Sequence, residues 1–225
     1  AADCRYLTGF TGEAASVLVT PEEVVLVTDP RFTTQAAEEV KATRVVVAEN
    51  DRDELLPGLL QESGGDDGVV GIEAEHLTVK RWQNLEAALT QVPGLTWRLV
   101  DGLVAERRQV KEPDELDALR QAGCLATQAL EFLQTIPVVG RSEQEVALDV
   151  EVFLRRAGSE GVPFPFIVAA GARGALPHGA ASRNQIAPGQ MVVFDLGAVV
   201  AGYASDITRT FATGKKTAGR VKGYS

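Results

Sequence analysis

The sequence predicts an α/β domain over residues 1–100, a connector at 101–112 and an α+β domain over 113–225. Three observations carry that division. Val-rich runs of strand length alternate with helical patterns through the first hundred residues, the pattern of α/β architecture. Two long amphipathic stretches with clear start and stop signals come next. Beyond Gly158 the chain turns to β-rich runs separated by loops dense in Gly and Ala, so helices precede an antiparallel sheet.

In order, AASVLVT (14–20) and VVLVTD (24–29) read as strands around a turn at Pro21-Glu22. Helical RFTTQAAEEV and the strand RVVVAE follow. In DRDELLPGLLQE, Pro57 kinks or breaks the helix, because its ring removes a donor and clashes with the preceding turn. GGDDG (64–68) is a loop before the strand VVGIE. In TVKRWQNLEAALTQV, Val79, Trp82, Leu85 and Leu89 recur at helical spacing, and the strand LTWRLV closes the domain. After the connector, Pro113 opens a long helix, with Asp114 and Glu115 complementing its positive end and Leu116, Leu119, Ala122 and Leu125 as its apolar stripe. Ser142 and Glu145 make a capping box for a second helix, which Gly158 terminates. PFPFIVAAG, QMVVFDLG and YASDITRTF are the strands of the sheet.

Composition narrows the function. With 45% hydrophobic and 24% charged residues, the 225-residue chain is that of an ordinary globular protein. No apolar run reaches the roughly 18 residues of a membrane span, and no basic segment leads into an apolar signal core at the start. The net charge is −9, yet beyond Glu160 seven bases face only two acids, Asp195 and Asp206. An acidic body opposes general nucleic-acid binding, which needs a clustered basic face. Cys4 and Cys124 lie far apart with no C-x-x-C motif, as expected of reduced thiols in a cytoplasmic protein.

The two late acids carry the chemical argument. Asp195 in M-V-V-F-D-L-G and Asp206 in Y-A-S-D-I-T-R-T-F sit in strand-like surroundings where an unpaired charge is costly. Two strands joined near Val200-Ala201 would place Asp195 directly opposite Asp206, Cβ atoms roughly 4.5–5.5 Å apart. Such a pair repels unless a proton or cation lies between, and paired metals are a recurrent device of hydrolases. Two solvent-facing strand acids with a longer loop between them are the other reading. His178, in G-A-L-P-H-G-A, is either solvated or catalytic, whereas His76 reads as structural.

These residues carry a resemblance. P-H-G-A, V-V-F-D-L-G-A and S-D-I-T-R-T-F are similar to the pita-bread metallopeptidases, a family that includes Xaa-Pro dipeptidase (prolidase), aminopeptidase P and methionine aminopeptidase. R-Y-L-T-G-F-T-G and T-D-P-R-F resemble the N-terminal domain of the prolidase/aminopeptidase P branch, and R-Q-V-K-E-P-D-E-L-D-A-L-R-Q-A resembles the start of its catalytic domain. The resemblance implies an α/β N-terminal domain used for dimerisation, followed by a pita-bread catalytic domain. It implies Xaa-Pro peptide substrates and two divalent ions (Mn, Co or Zn). By motif match Asp195 chelates one metal, Asp206 bridges both, and His178 contacts substrate near the scissile bond.

The chain also departs from that family. A full centre of this type needs one further His and two further Glu after the second Asp, and none follows Asp206 here. The sequence therefore reads as an incomplete pita-bread, a fragment or truncated product, with weak metal binding and little activity expected of the chain alone. Two alternatives share the fold: a creatinase-like hydrolase that works without metal, and a non-catalytic binding or dimerisation module.

Overall fold

The computed structural model describes residues 2–40, 43–50, 52–63, 68–214 and 221–223. The expected GGDDG loop lies outside the described residues at 64–67, as does most of the basic stretch after Gly214. The chain divides into two units, residues 1–110 and 111–225.

The first unit opens with a short helix, α1 (Ala2–Thr8), and the hairpin of β1 (Ala15–Val19) and β2 (Val24–Thr28). Asp29 caps the 3-10 turn Pro30–Phe32 by accepting the Arg31 N–H, and α2 (Thr33–Glu39) then returns the chain so that β3 (Arg44–Val47) lies parallel to β2. The run VVLV in β2 is apolar throughout because both its faces are covered, and the buried Thr28 that ends the strand donates its hydroxyl to the Ala14 carbonyl. Val25 and Val27 join one core cluster with Leu59, Leu85 and Leu89, while Leu26 turns to Phe10 and Ala36.

The helix expected over 51–62 is broken into a 3-10 turn, Arg52–Glu54, and α3 (Leu56–Glu62), whose first turn accommodates Pro57 where no N–H is needed. A β–α–β unit follows, with β4 (Val69–Glu73) parallel to β5 (Thr96–Val100) and α4 (Val79–Leu89) between them. Leu85 and Leu89 are buried as expected, but Val79 is exposed. The stretch read as a connector contains α5 (Leu103–Gln109), built from strong helix formers, and Arg108 pairs with Asp3 of α1 at 2.7 Å.

The second unit begins with α6 (Pro113–Leu133) and α7 (Glu143–Arg156). The apolar stripe on α6 differs from the expected one. Positions 116, 119, 122 and 125 step by three and drift round the helix, whereas the buried set is Glu115, Ala118, Ala122, Ala126, Ala129, Leu130 and Leu133, which follows the helical period. The Ser142–Glu145 capping box is present. At its far end α7 closes with Gly158 at φ 106° and N–H bonds from Gly158 to Arg155 and Ser159 to Leu154, a Schellman motif.

The strands are β6 (Ile167–Ala170), β7 (Met191–Leu196), β8 (Val199–Val200), β9 (Tyr203–Ala204), β10 (Ile207–Thr213) and β11 (Val221–Gly223). Four of them form an antiparallel sheet in the order β11-β10-β7-β6, and β8 and β9 make a separate hairpin. Val192, Phe194 and Leu196 alternate inward from β7 against Leu130, Leu133, Val146, Val150 and Leu154 of the two helices. That alternation turns Val193 and Asp195 to the opposite face.

The β8–β9 turn holds Ala201 at φ 49° and Gly202 at φ 80°, both left-handed. A two-residue hairpin turn with positive φ at both positions matches strand twist and favours Asn-Gly, so Ala201 is the strained member. Ala201→Asn is expected to raise the melting temperature, by about 1 kcal/mol of stability. Thermal unfolding checks it, and a lower melting temperature would contradict the turn assignment.

Candidate functional site

The pairing of β7 with β10 sets the site. Asp195 lies opposite Thr208, whose hydroxyl donates to the Asp195 Oδ1 at 2.7 Å, and Leu196 lies opposite Ile207. This corrects the expected register, in which Asp195 faced Asp206. The turn centres on Ala201-Gly202, one residue later than expected, because Gly202 readily adopts the positive φ the turn requires. The pairing consequently shifts by two residues. A shift of two preserves which side each residue faces, so Asp206, just before β10, stays a same-face diagonal neighbour of Asp195.

The two carboxyls still meet. Asp206 is held above the usual aspartate range, first by partial loss of hydration, then by the Asp195 charge, then by a hydrogen bond to Asp195. A raised carboxyl value favours the folded state at low pH, and that contribution is lost as pH rises through the raised value. Two oxygen ligands on one sheet face suit a hard divalent cation. Among the described residues no group of three or more His, Cys, Asp or Glu could hold a metal. The fit is thus partial, two carboxylates without a third such ligand among the described residues.

The connection between the two acid-bearing segments leaves no spare room. A Cβ on Gly197 would sit 2.0 Å from the Ser205 carbonyl oxygen and 2.7 Å from Pro163 Cγ. Ser205 Oγ accepts the Ala198 N–H at 3.0 Å and lies 2.9 Å from the Ala122 carbonyl oxygen, which it can reach as donor, so it joins this connection to α6. Tyr203 donates its hydroxyl to Glu115 of the same helix.

His178 is exposed in the loop after the 3-10 turn Gly171–Ala175 and does not complete a metal-holding group with the acids among the described residues. Leu176 accepts the Gly179 N–H at 3.2 Å, and His178 itself accepts the Ala180 N–H at 2.9 Å. Below this loop lies a residue that sequence reasoning passed over. Glu143 opens α7 with zero exposure. Its carboxylate accepts from the Ala170 N–H (2.9 Å), the Ser182 N–H (3.0 Å) and hydroxyl (2.7 Å), the Asn184 amide (3.0 Å) and Arg173 Nε (3.0 and 3.2 Å). Burial alone would push this carboxyl up, but the donors from Ala170, Ser182 and Asn184 hold it below the usual glutamate range. Its contribution is present above that range and lost as pH falls through the lowered folded value, the reverse of Asp206. In sequence Glu143 is merely the acid inside a capping box, and its donors come from 27 to 41 positions away.

Comparison with known proteins places this geometry. Residues 117–224 match metallopeptidase family M24, and residues 1–110 match the creatinase/prolidase N-terminal domain. The chain belongs to the M24 metallopeptidase family, with a creatinase/prolidase N-terminal domain preceding its M24 domain and an incomplete pita-bread in the second unit. Among relatives, it is 32% identical to the uncharacterized peptidase YqhT of Bacillus subtilis over 211 residues, covering 94% of this chain and 58% of YqhT. It is 37% identical to the Xaa-Pro dipeptidase of Pyrococcus furiosus over 118 residues, 52% of this chain and 34% of that enzyme. The solved Xaa-Pro dipeptidase from Bacillus anthracis superposes with a TM-score of 0.85 at 33% identity, covering 95% of this chain and 59% of that one. The X-Pro aminopeptidase from Thermotoga maritima gives 0.82 at 30% identity, covering 96% and 60%. The chain spans about three fifths of the length of the relatives that match nearly all of it. Family membership implies divalent metal ions.

Two outcomes follow from the geometry. Gly197→Ala should cost about 1–3 kcal/mol or more, because the added methyl meets backbone rather than a movable side chain; denaturant unfolding reads this directly. In chelator at neutral pH, Asp206→Asn should melt at the same temperature as the parent or higher, since the amide removes repulsion while keeping shape. The difference should shrink as pH falls and Asp206 takes up its proton. A drop of several degrees at neutral pH would mean that the Asp206 charge is structurally needed.

Proposed function

We propose that this chain acts in the metal-dependent hydrolysis of Xaa-Pro peptide bonds, as a proline dipeptidase-like peptidase. The observation that carries the reading is the same-face pair of Asp195 on β7 and Asp206 just before β10, with its raised Asp206 carboxyl, in segments bearing the family's motifs. In this reading Asp195 and Asp206 would hold the divalent ions, and His178 would contact the substrate beside the scissile bond. Manganese, cobalt or zinc would serve, since oxygen-rich sites separate these ions weakly. When bound, such ions supply an activated water and polarise the carbonyl. The chain's own residues hold the two carboxylates together on a rigid ladder and present an imidazole on a braced loop. A cytoplasmic location fits the two free cysteines.

Metal titration by calorimetry, run beside an Xaa-Pro dipeptide assay, tests the reading. Mn²⁺ should bind weakly, and Asp195→Asn and Asp206→Asn should each abolish that binding. Hydrolysis by the 225-residue chain alone should be slight, because no His or Glu follows Asp206 to enlarge the ligand set. Metal binding unchanged in both variants would sink the assignment. Robust hydrolysis would mean that another chain contributes ligands.

Pairing of two copies belongs to the same proposal. The first unit exposes Val19, Val69 and Leu99 on its strands at 56%, 62% and 56%, apolar surface next to sheet edges that invites a partner. Sedimentation at micromolar concentration should give a dimer or larger; a clean monomer would overturn this.

A further inference from the structure

We propose that Glu143 is the positioning residue for His178, a role that rests on reading His178 as the substrate-contacting residue. Each fixed point of the loop leads back to this one carboxylate. The loop departs from β6 at Ala170, whose N–H is donated to Glu143. It returns at Ser182, whose N–H and hydroxyl are both donated to Glu143. Between these stems Arg173 spans the loop, with Nε on Glu143 and Nη2 donating to the Ala180 carbonyl at 2.9 Å, two residues beyond His178. Leu176 donates its N–H to the Arg173 backbone carbonyl at 3.0 Å, so the turn carrying Pro177 and His178 is tied to the residue whose side chain spans the loop.

The base of this brace is firm. Glu143 is the first residue of α7, where the positive end of a 14-residue helix favours a carboxylate. Its own N–H donates to the Asn184 carbonyl at 3.0 Å, and Gln144 donates to Ser182 at 3.0 Å, which anchors the returning strand to the helix start. An exposed loop joined only through its two ends would let the imbalance of solvent and side-chain entropy place the imidazole anywhere. Here a buried anion fixes both ends and the cross-link together. Glu143 touches neither His178 nor the acids in this arrangement and acts on the imidazole only through the loop.

The test uses the fact that the chain has two histidines. Proton NMR of the imidazole Cε1–H resonances reports His178, with His76 of the other unit as internal reference. Glu143→Gln keeps shape but replaces an acceptor with a donor facing donors. Arg173→Met removes the cross-link from a partly exposed side chain and leaves the buried carboxylate its four remaining donor groups. Both changes should narrow the His178 line and move it toward the position of free histidine, with His76 unmoved. In Arg173→Met, exchange of the Leu176 and Gly179 amides should accelerate at least tenfold while Leu130 and Leu133 in α6 keep their protection. If His178 stays where it was in Arg173→Met, the positioning role is wrong. If His178 and His76 shift together, or all amides accelerate equally, Glu143 and Arg173 support only global stability and the proposal fails. Should Glu143→Gln not fold, Arg173→Met and Asn184→Ala decide by the same readouts. None of these readouts requires hydrolysis, so failure here leaves the peptidase reading standing, and failure of that reading leaves the brace intact.

Discussion

The second unit depends on one fully buried carboxylate, Glu143. A carboxylate with zero exposure is tolerable only where donors replace its lost water, and the donors to Glu143 come from the end of β6, the 3-10 turn and the segment after His178. No one of those segments could satisfy it alone. The anion therefore links the helices to the loop side of the sheet, and its hydrogen bonds form only when all three segments have arrived. Removing one partner from such a cluster leaves the others desolvated and unmatched, which is why networks of this kind resist piecemeal change.

The acid pair depends on backbone geometry of a different kind. Asp195 and Asp206 are brought together by a ladder whose phase is set at the Ala201-Gly202 turn. Side chains in a strand alternate, so only an even shift keeps both acids on the same face. The Thr208 hydroxyl on Asp195 and the hydrogen bond between the carboxyls then divide the oxygens between a local partner and each other. On the opposite face, Phe194 packs against Phe211 with ring centroids 5.7 Å apart, which holds the two strands in that phase from beneath.

What was legible in the sequence was what short spacing controls. The Ser142–Glu145 capping box, the Gly158 stop, the break at Pro57 and the Val-rich strands all depend on neighbours within about one helical turn, and each element formed where those signals stood. The acids were recognisable because charge is conspicuous in a β-rich run. The register was displaced because Val200-Ala201 and Ala201-Gly202 are equally plausible by length, and only the positive φ at Gly202 separates them. The α6 stripe departs from the leucine spacing because four of its buried positions, Ala118, Ala122, Ala126 and Ala129, are alanine, small enough for close helix packing. Glu143 was invisible because its significance lies entirely in residues far along the chain.

Gly197 gives the site a constraint that belongs to no functional group. Its neighbours at 2.0 and 2.7 Å occupy the volume any side chain would need. Drift at this position is closed in every direction, since all nineteen alternatives add atoms, whereas an acid two residues away can lengthen or shorten and still offer oxygen. A mutational scan of this strand would therefore score an empty space as intolerant as the carboxylate beside it. Searches for remote relatives that weight only reactive side chains would discard half of that signal.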